Sequence, residues 1–323
     1  IASSTIVENA TLRMNDNIAD DNGQGGFGTG MGAIIYAVGG DLDVEMNDNL
    51  PDRNAGNGMV LHHGYVGGNA TVSMSGNRAN FNDGVGMNYQ SASTIVWNAT
   101  LNMNDNTADD NGQGGFGDGI TALYGGSVLG DLLVRMDNNQ ADRNAGSGVA
   151  LSHGYAGNNA EVSMSANRAS FNDFSGMSYN GPVHGDLDAV LNDNEASGNE
   201  RFGVNLAHGY VGDNAMVSMN GNQAWSNGAA GVRYSTTSTI VENATLGMEG
   251  NAAVFNGQNG DGDGIVAEYL GSVLGDLDAE LIGNVSVGNT GTGVNVIHDY
   301  VGGNAMVEMD DNVAFLNTRN GVR

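Results

Sequence analysis

The 323-residue chain contains no cysteine, no lysine and only two prolines. Without cysteine there is neither a disulfide framework nor a thiolate nucleophile, so packing and hydrogen bonds must hold the fold. Without lysine there is no amine for Schiff-base or general-base chemistry, and all ten basic residues are arginine. Long apolar runs are missing as well. No stretch approaches the roughly 20 residues a membrane-spanning helix needs, so membrane insertion is not expected. The formal charge of −27 leaves no basic face. Nucleic acid is therefore excluded as a partner, because phosphate binding needs one. An anionic membrane surface or an acidic polysaccharide is disfavoured for the same reason. The charge suits a rod exposed in saline or Ca²⁺-bearing water, so an extracellular or cell-surface setting is expected.

What the chain has instead is glycine, 53 residues of it, and one pattern repeated eleven times. An apolar residue is followed after three positions by Asn, after five more by Asn, and after four more by Gly. The first column is Asn17, Asn49, Asn77, Asn106, Asn139, Asn167, Asn194, Asn222, Asn251, Asn284 and Asn312. The second runs from Asn22 and Asn54 to Asn317, and Gly follows each, from Gly26 and Gly58 to Gly321. Successive members of the first column lie 27 to 33 residues apart, a period that marks a stacked repeat. Helical repeats are excluded, since each internal Gly would cost a helix roughly 1 kcal/mol. Short alternating runs such as Ala70-Thr71-Val72-Ser73-Met74 are strands with one buried face.

The buried column of these strands is nearly all Met: Met14, Met46, Met74, Met103, Met136, Met164, Met219, Met248 and Met309, with Leu191 and Leu281 completing it. This reads as core filling, not metal binding, since Met fits irregular gaps. Asn repeated at one level of coils about 4.8 Å apart can pass amide hydrogen bonds up the stack, and it tolerates the left-handed backbone of a corner. The residue between the Asn columns is small in almost every coil, as in Ala79, Ala108 and Ala141, so it faces a crowded interior. The ten residues Asn17 to Asn284 of the first column are thus a structural ladder.

The N-x4-N-x3-G coil resembles the parallel β-helix repeat of the pectin-lyase-like superfamily, and in character it is similar to bacterial surface adhesin and filament solenoids. The resemblance implies an all-β, right-handed parallel β-helix of about eleven coils, on the order of 50 Å long. That superfamily holds polysaccharide lyases, hydrolases, epimerases, phage tailspikes and adhesins, so the resemblance concerns fold more than function.

Three coil dialects alternate in the order ABC, ABC, BC, ABC, with no linker or composition shift, so residues 1–323 read as a single domain. Neither terminal coil looks like a cap. Joining Gly321-Val322-Arg323 to the N-terminal IASSTIVENATL would give a 28-residue coil, close to the internal ones. The expected function is therefore a structural subunit of an extracellular filament, its partner being itself, polymerising head to tail. Ile1, Thr5, Ile6 and Val7 form one contact surface and Asn312, Asn317, Val322 and Arg323 the other. The alternatives are a shaft segment of a large surface adhesin, or a β-helix that binds or processes carbohydrate or another cell-surface ligand.

Catalytic residues are not expected. His63, His153, His208 and His298 share one column, with Tyr65, Tyr155, Tyr210 and Tyr300 two positions on. They lie two or three coils apart, too far to converge on one ion or proton, so they read as a corner motif of one dialect. His62 and His184 carry no signal of their own. Aspartates recur in every dialect and single out no one place. Trp97 and Trp225 offer stacking surfaces for sugars. The Asp261-Gly262-Asp263 turn is the most calcium-like local sequence, which makes Asp261 and Asp263 the candidate metal ligands; no other cofactor is expected.

Overall fold

The computed structural model describes residues 6, 8–23, 28–113, 115–260 and 262–323. All its strands pair in parallel, and no helix occurs among the described residues. Each coil contributes a strand to an eleven-stranded sheet that starts at Ala10–Arg13 and ends at Ala305–Asp310. A second strand joins a ten-stranded sheet running from Met31–Val38 to Val294–Val301. A third, five-stranded sheet runs from Glu195–Ser197 to Val313–Phe315, and in the earlier coils isolated bridges such as Thr107–Gln140 hold its place. Every strand pairs with its counterpart one coil away, so the chain is a β-solenoid of eleven turns with the core between the sheets.

Alternation explains the inward faces. The Met column from Met46 to Met248 is fully buried, as are Leu191 and Leu281, and beside it, two residues earlier on the same face, stand the buried Val72, Leu101, Val134 and their equivalents. The small column is buried too from Ala79 through Ala108 and Ala141 to Ser286, and only partly at its ends, Ala19 and Ala314.

One expectation about the corners is corrected. The left-handed residue is not the Asn but its predecessor. All eleven residues before the first column have φ near +60°, among them Asp16, Gly76, Ala166 and Asp311. So do all eleven before the second, including Arg53, Phe81, Phe171 and Leu316. The Asn itself is spared the strain, and its side chain is aimed along the stack.

The glycine column needs a second correction. At Gly58 an added Cβ would stand 2.6 Å from Asn82 Nδ2 of the next coil, because the backbone crosses directly over that amide. In the dialect with the longer loop, that place is taken by Gly30, Gly119 and Gly264. Gly115 and Gly260, four residues after their Asn, sit in the loop with open space around them, and Gly26 lies outside the described residues.

Candidate functional site

Three features carry polar chemistry: the amide ladders, a polar file inside the core, and a trough on the ten-stranded sheet. In the first ladder each Asn Nδ2 donates to Oδ1 of the next coil's Asn, ten links of 2.9–3.2 Å from Asn17–Asn49 to Asn284–Asn312. The second ladder makes ten links of 2.8–3.0 Å from Asn22–Asn54 to Asn289–Asn317. The same Oδ1 also accepts the main-chain N–H of the preceding coil's Asn, as in Asn172 N to Asn199 Oδ1 at 3.0 Å. The remaining Nδ2 hydrogen goes to a carbonyl one coil back, as in Asn172 to Ala141 O at 2.9 Å. The buried amide is thus fully satisfied, which only a side chain with two donors and an acceptor at this length achieves.

A further ladder runs along the surface in the opposite sense. Its members are Asn9, Asp41, Asn69, Asn98, Asp131, Asn159, Asp186, Asn214, Asn243, Asp276 and Asn304, and each but the last accepts the N–H of its counterpart in the following coil. Asp and Asn interchange here because only acceptance is required and the site is exposed.

The histidine row is not a corner motif. His63, His153 and His208 point into the core and are buried, while His298 is exposed. Each buried imidazole bonds through Nε2 to a tyrosine hydroxyl of the next coil: Tyr89 at 2.8 Å, Tyr179 at 2.9 Å and Tyr234 at 2.8 Å. In His63 and His208, Nδ1 donates to the carbonyl of the following glycine at 2.9 Å. A carbonyl can only accept, so Nδ1 carries a proton, and in the neutral ring Nε2 is left to accept from the tyrosine hydroxyl. Burial holds all three imidazoles at a pKa of about 4 and pushes Tyr89, Tyr124, Tyr179, Tyr234 and Tyr269 up. Tyr89 meets Tyr124 edge-on at 5.1 Å, and Tyr234 meets Tyr269 at 5.0 Å.

Coils 2 to 9 therefore supply, in order, His63, Tyr89, Tyr124, His153, Tyr179, His208, Tyr234 and Tyr269. This explains the dialects: B gives histidine, C gives tyrosine, and A gives a second tyrosine. Where an A coil is missing, Tyr179 is followed directly by a histidine coil. The signal in the sequence was the constant separation of 26 residues in all three His–Tyr pairs. The outer tyrosines form something else: His184 lies between Tyr155 and Tyr210 on the surface, with ring centroids 4.5 and 5.1 Å away.

The trough has a volume of about 360 Å³. Thr121, Leu123, Ser152, Ser178, Asn180 and Asn205 form its floor, and Phe174, Arg201 and Phe202 its wall. Arg13, Arg53, Arg78, Arg135, Arg143, Arg168 and Arg233 pair with carboxylates; Arg201 instead lies over the Phe174 ring at 4.5 Å. An adjoining depression contains Asp118, whose pKa is raised by burial and lowered less by the Ser147 N–H. Trp97 and Trp225 lie five coils apart and make no common surface.

Ile6 bridges Val38 at one end of the stack, and Val322 bridges Val294 at the other, where Arg323 N donates to Val294 O at 3.0 Å. Ile1, Thr5 and Val7 lie outside the described residues, as does Asp261. Asp263 accepts from Thr292 N at 2.6 Å and from Asn295 Nδ2 at 3.1 Å. No group of three or more His, Asp or Glu side chains that could hold a metal ion is found among the described residues. No helix among them is long and apolar enough to cross a membrane.

No family model matches the sequence, and no curated protein does. Among solved structures the chain is similar to the Dettilon tailspike protein (gp208), at 10% identity and a TM-score of 0.37 over 89% of this chain. It spans 61% of the tailspike's length. It is also similar to the A-module of the Azotobacter vinelandii mannuronan C-5 epimerase AlgE6, at 11% identity and a TM-score of 0.21, covering 86% of this chain and 91% of that one.

Proposed function

We propose that the chain is a structural shaft unit of an extracellular filament, stacking end to end with a second copy of itself and performing no catalysis. The observation that supports this reading is the fixed direction of the ladders. In the buried ladders, N–H groups of one coil donate to Oδ1 of the next, from the N-terminal end toward the C-terminal end. No donor to Asn17 Oδ1 or Asn22 Oδ1 is found among the described residues, and the N–H groups of Asn312 and Asn317 correspond to donors of the next step. The surface ladder runs the other way, offering Asn304 Oδ1 at the end where the buried ladders offer N–H. One contact continues all three ladders at once: the last coil of one copy against the first coil of another. The inward residues there are uncovered, with Val307 37% and Val322 45% exposed. At the other end Ile6, Leu12 and Met14 line an apolar opening of about 270 Å³.

Electron microscopy of the purified protein, with and without EDTA, tests this. Unbranched fibres with an axial repeat near 50 Å are expected, and their loss in EDTA would assign a role to Ca²⁺. Asn17→Ala/Asn22→Ala, or removal of residues 1–7, should abolish the fibres and leave soluble rods. Rods of one length under every condition would refute stacking.

A second reading is carbohydrate binding, favoured by the trough, whose aromatic wall and amide floor suit a sugar chain. Retention on a glycan array, lost in Phe202→Ala, would support it.

A further inference from the structure

Ile35 occupies in coil 1 the inward position that His63 occupies in coil 2, so an aliphatic side chain fills this place and packing does not require a polar ring. Yet each of coils 2 to 9 carries an inward histidine or tyrosine, at the His63 place or, in coils 3, 6 and 8, two residues before it. We propose that this file is an acid release built into the shaft: His63, His153 and His208 stay neutral while sealed in the core and drive coils 2 to 9 apart when acid protonates them. The inference is independent of stacking and is tested on dispersed protein.

The geometry leaves little room for a proton. His63 and His208 each spend Nδ1–H on a main-chain carbonyl and Nε2 on a tyrosine hydroxyl, so a second N–H would face the oxygen of a hydroxyl that already points its own proton at the ring. The next coil packs directly against the rings. Gly181 stands beside His153 where any Cβ would run into the imidazole, and Ser91 and Thr236 hold the matching places beside His63 and His208. The titratable groups against the rings are Tyr89 for His63, Tyr179 for His153 and Tyr234 for His208; Tyr124 is the strand partner of His153 on its other side, and Tyr124 and Tyr269 stand behind Tyr89 and Tyr234. All of them are neutral until strongly alkaline pH. His62, outside on the same strand, is the one group that acts on His63 through charge, and it disfavours protonation. Among the described residues no carboxylate acts on the three rings through charge; Asp278 does so only on Tyr269.

The folded pKa, about 4, lies below the unfolded value of 6.5, so the fold prefers the neutral ring. Stability is intact above pH 6.5, falls as pH drops through the unfolded value, and has lost the full contribution below about 4. For each histidine the folding equilibrium shifts on the order of fifty-fold between pH 7 and pH 4.5.

The experiment compares urea midpoints at pH 7 and pH 4.5 for the wild type and His63→Gln/His153→Gln/His208→Gln, whose amides still accept from tyrosine but do not titrate. Carboxylate protonation is common to both proteins and cancels in the difference. The wild type should lose markedly more of its midpoint than the variant; equal losses would overturn the proposal. If the triple variant does not fold, His208→Gln alone gives the same comparison with about a third of the logarithmic effect. NMR of the imidazole carbons supplies a separate check on the native protein. Three rings should remain neutral down to the pH at which the fold opens, and any of them titrating near 6.5 in the folded state would sink the idea.

Discussion

At the scale of the residue, the corners put side chains where the backbone disfavours them. Left-handed φ costs an L-residue roughly 1–2 kcal/mol, and here Ala166, Phe171, Phe255 and Leu316 all adopt it. Equivalent corners in other coils use Gly76, Gly198, Gly221 and Gly250. The structure tolerates the strain because the following Asn is fixed by bonds to both neighbouring coils. Ala166→Gly should therefore raise stability by up to about 1 kcal/mol, partly offset by glycine's larger unfolded-state entropy. Gly250→Ala is the mirror test. Its Cβ would meet nothing within 4 Å, so its expected loss of about 1 kcal/mol is backbone strain alone. Urea titration of both variants decides it; a stabilised Gly250→Ala would show that the corner relaxes.

At the scale of the element, one chemical change has opposite meanings in two ladders. Asn172→Asp places a carboxylate in a buried ladder, where Ala141 O and Asn199 Oδ1 need a donor. An unpaired buried charge costs about 3–5 kcal/mol, so the variant should be severely destabilised at pH 7. Its carboxyl pKa must be raised in the fold, and the loss should shrink as pH falls toward that raised value. Asn98→Asp makes the same change in the surface ladder, where Asp131 already accepts an N–H in the next coil. It should stay within about 0.5 kcal/mol of the wild type. Comparable losses in both variants, measured by urea midpoint, would mean that the buried ladder admits water.

Half of that contrast was legible beforehand, in the eleven unvarying Asn of one column; the surface column, where Asn and Asp interchange, emerged only from the hydrogen bonds. The coil period, the buried Met column and the small residues between the ladders were legible for the same reason, since each obeys one local spacing. The His–Tyr file was not, because its partners sit on different coils and only the third dimension brings the columns side by side. The corner glycines misled for a related reason. In the longer coils, the inserted residues move the position that must cross the amide four places downstream, while a loop glycine keeps the apparent spacing.

At the scale of the whole molecule, each coil mainly touches its neighbours, Asn259 Nδ2 reaching Glu200 O two coils back being an exception, so stability is close to a sum of coil and interface terms. Against that sum acts a net charge of −27. The arginines balance it only locally: Arg78 holds the buried Asp52 at 2.6 Å and Arg168 holds Asp142 at 3.2 Å. Most acidic groups have no such partner, and coils stacked about 4.8 Å apart bring like charges well inside the screening length of roughly 10 Å at 0.1 M salt. Half-exposed pairs such as Arg13–Glu45 contribute about 0–1 kcal/mol each, too little to reverse the sign. Added salt should therefore raise the melting temperature, because it screens repulsion that acts between every pair of coils and weakens only a few modest attractions. It should also hasten stacking, since two ends of like charge must approach. A melting temperature that falls between 10 and 500 mM NaCl, with sedimentation confirming that the rods stay dispersed, would place the arginine pairs above the net charge in setting stability.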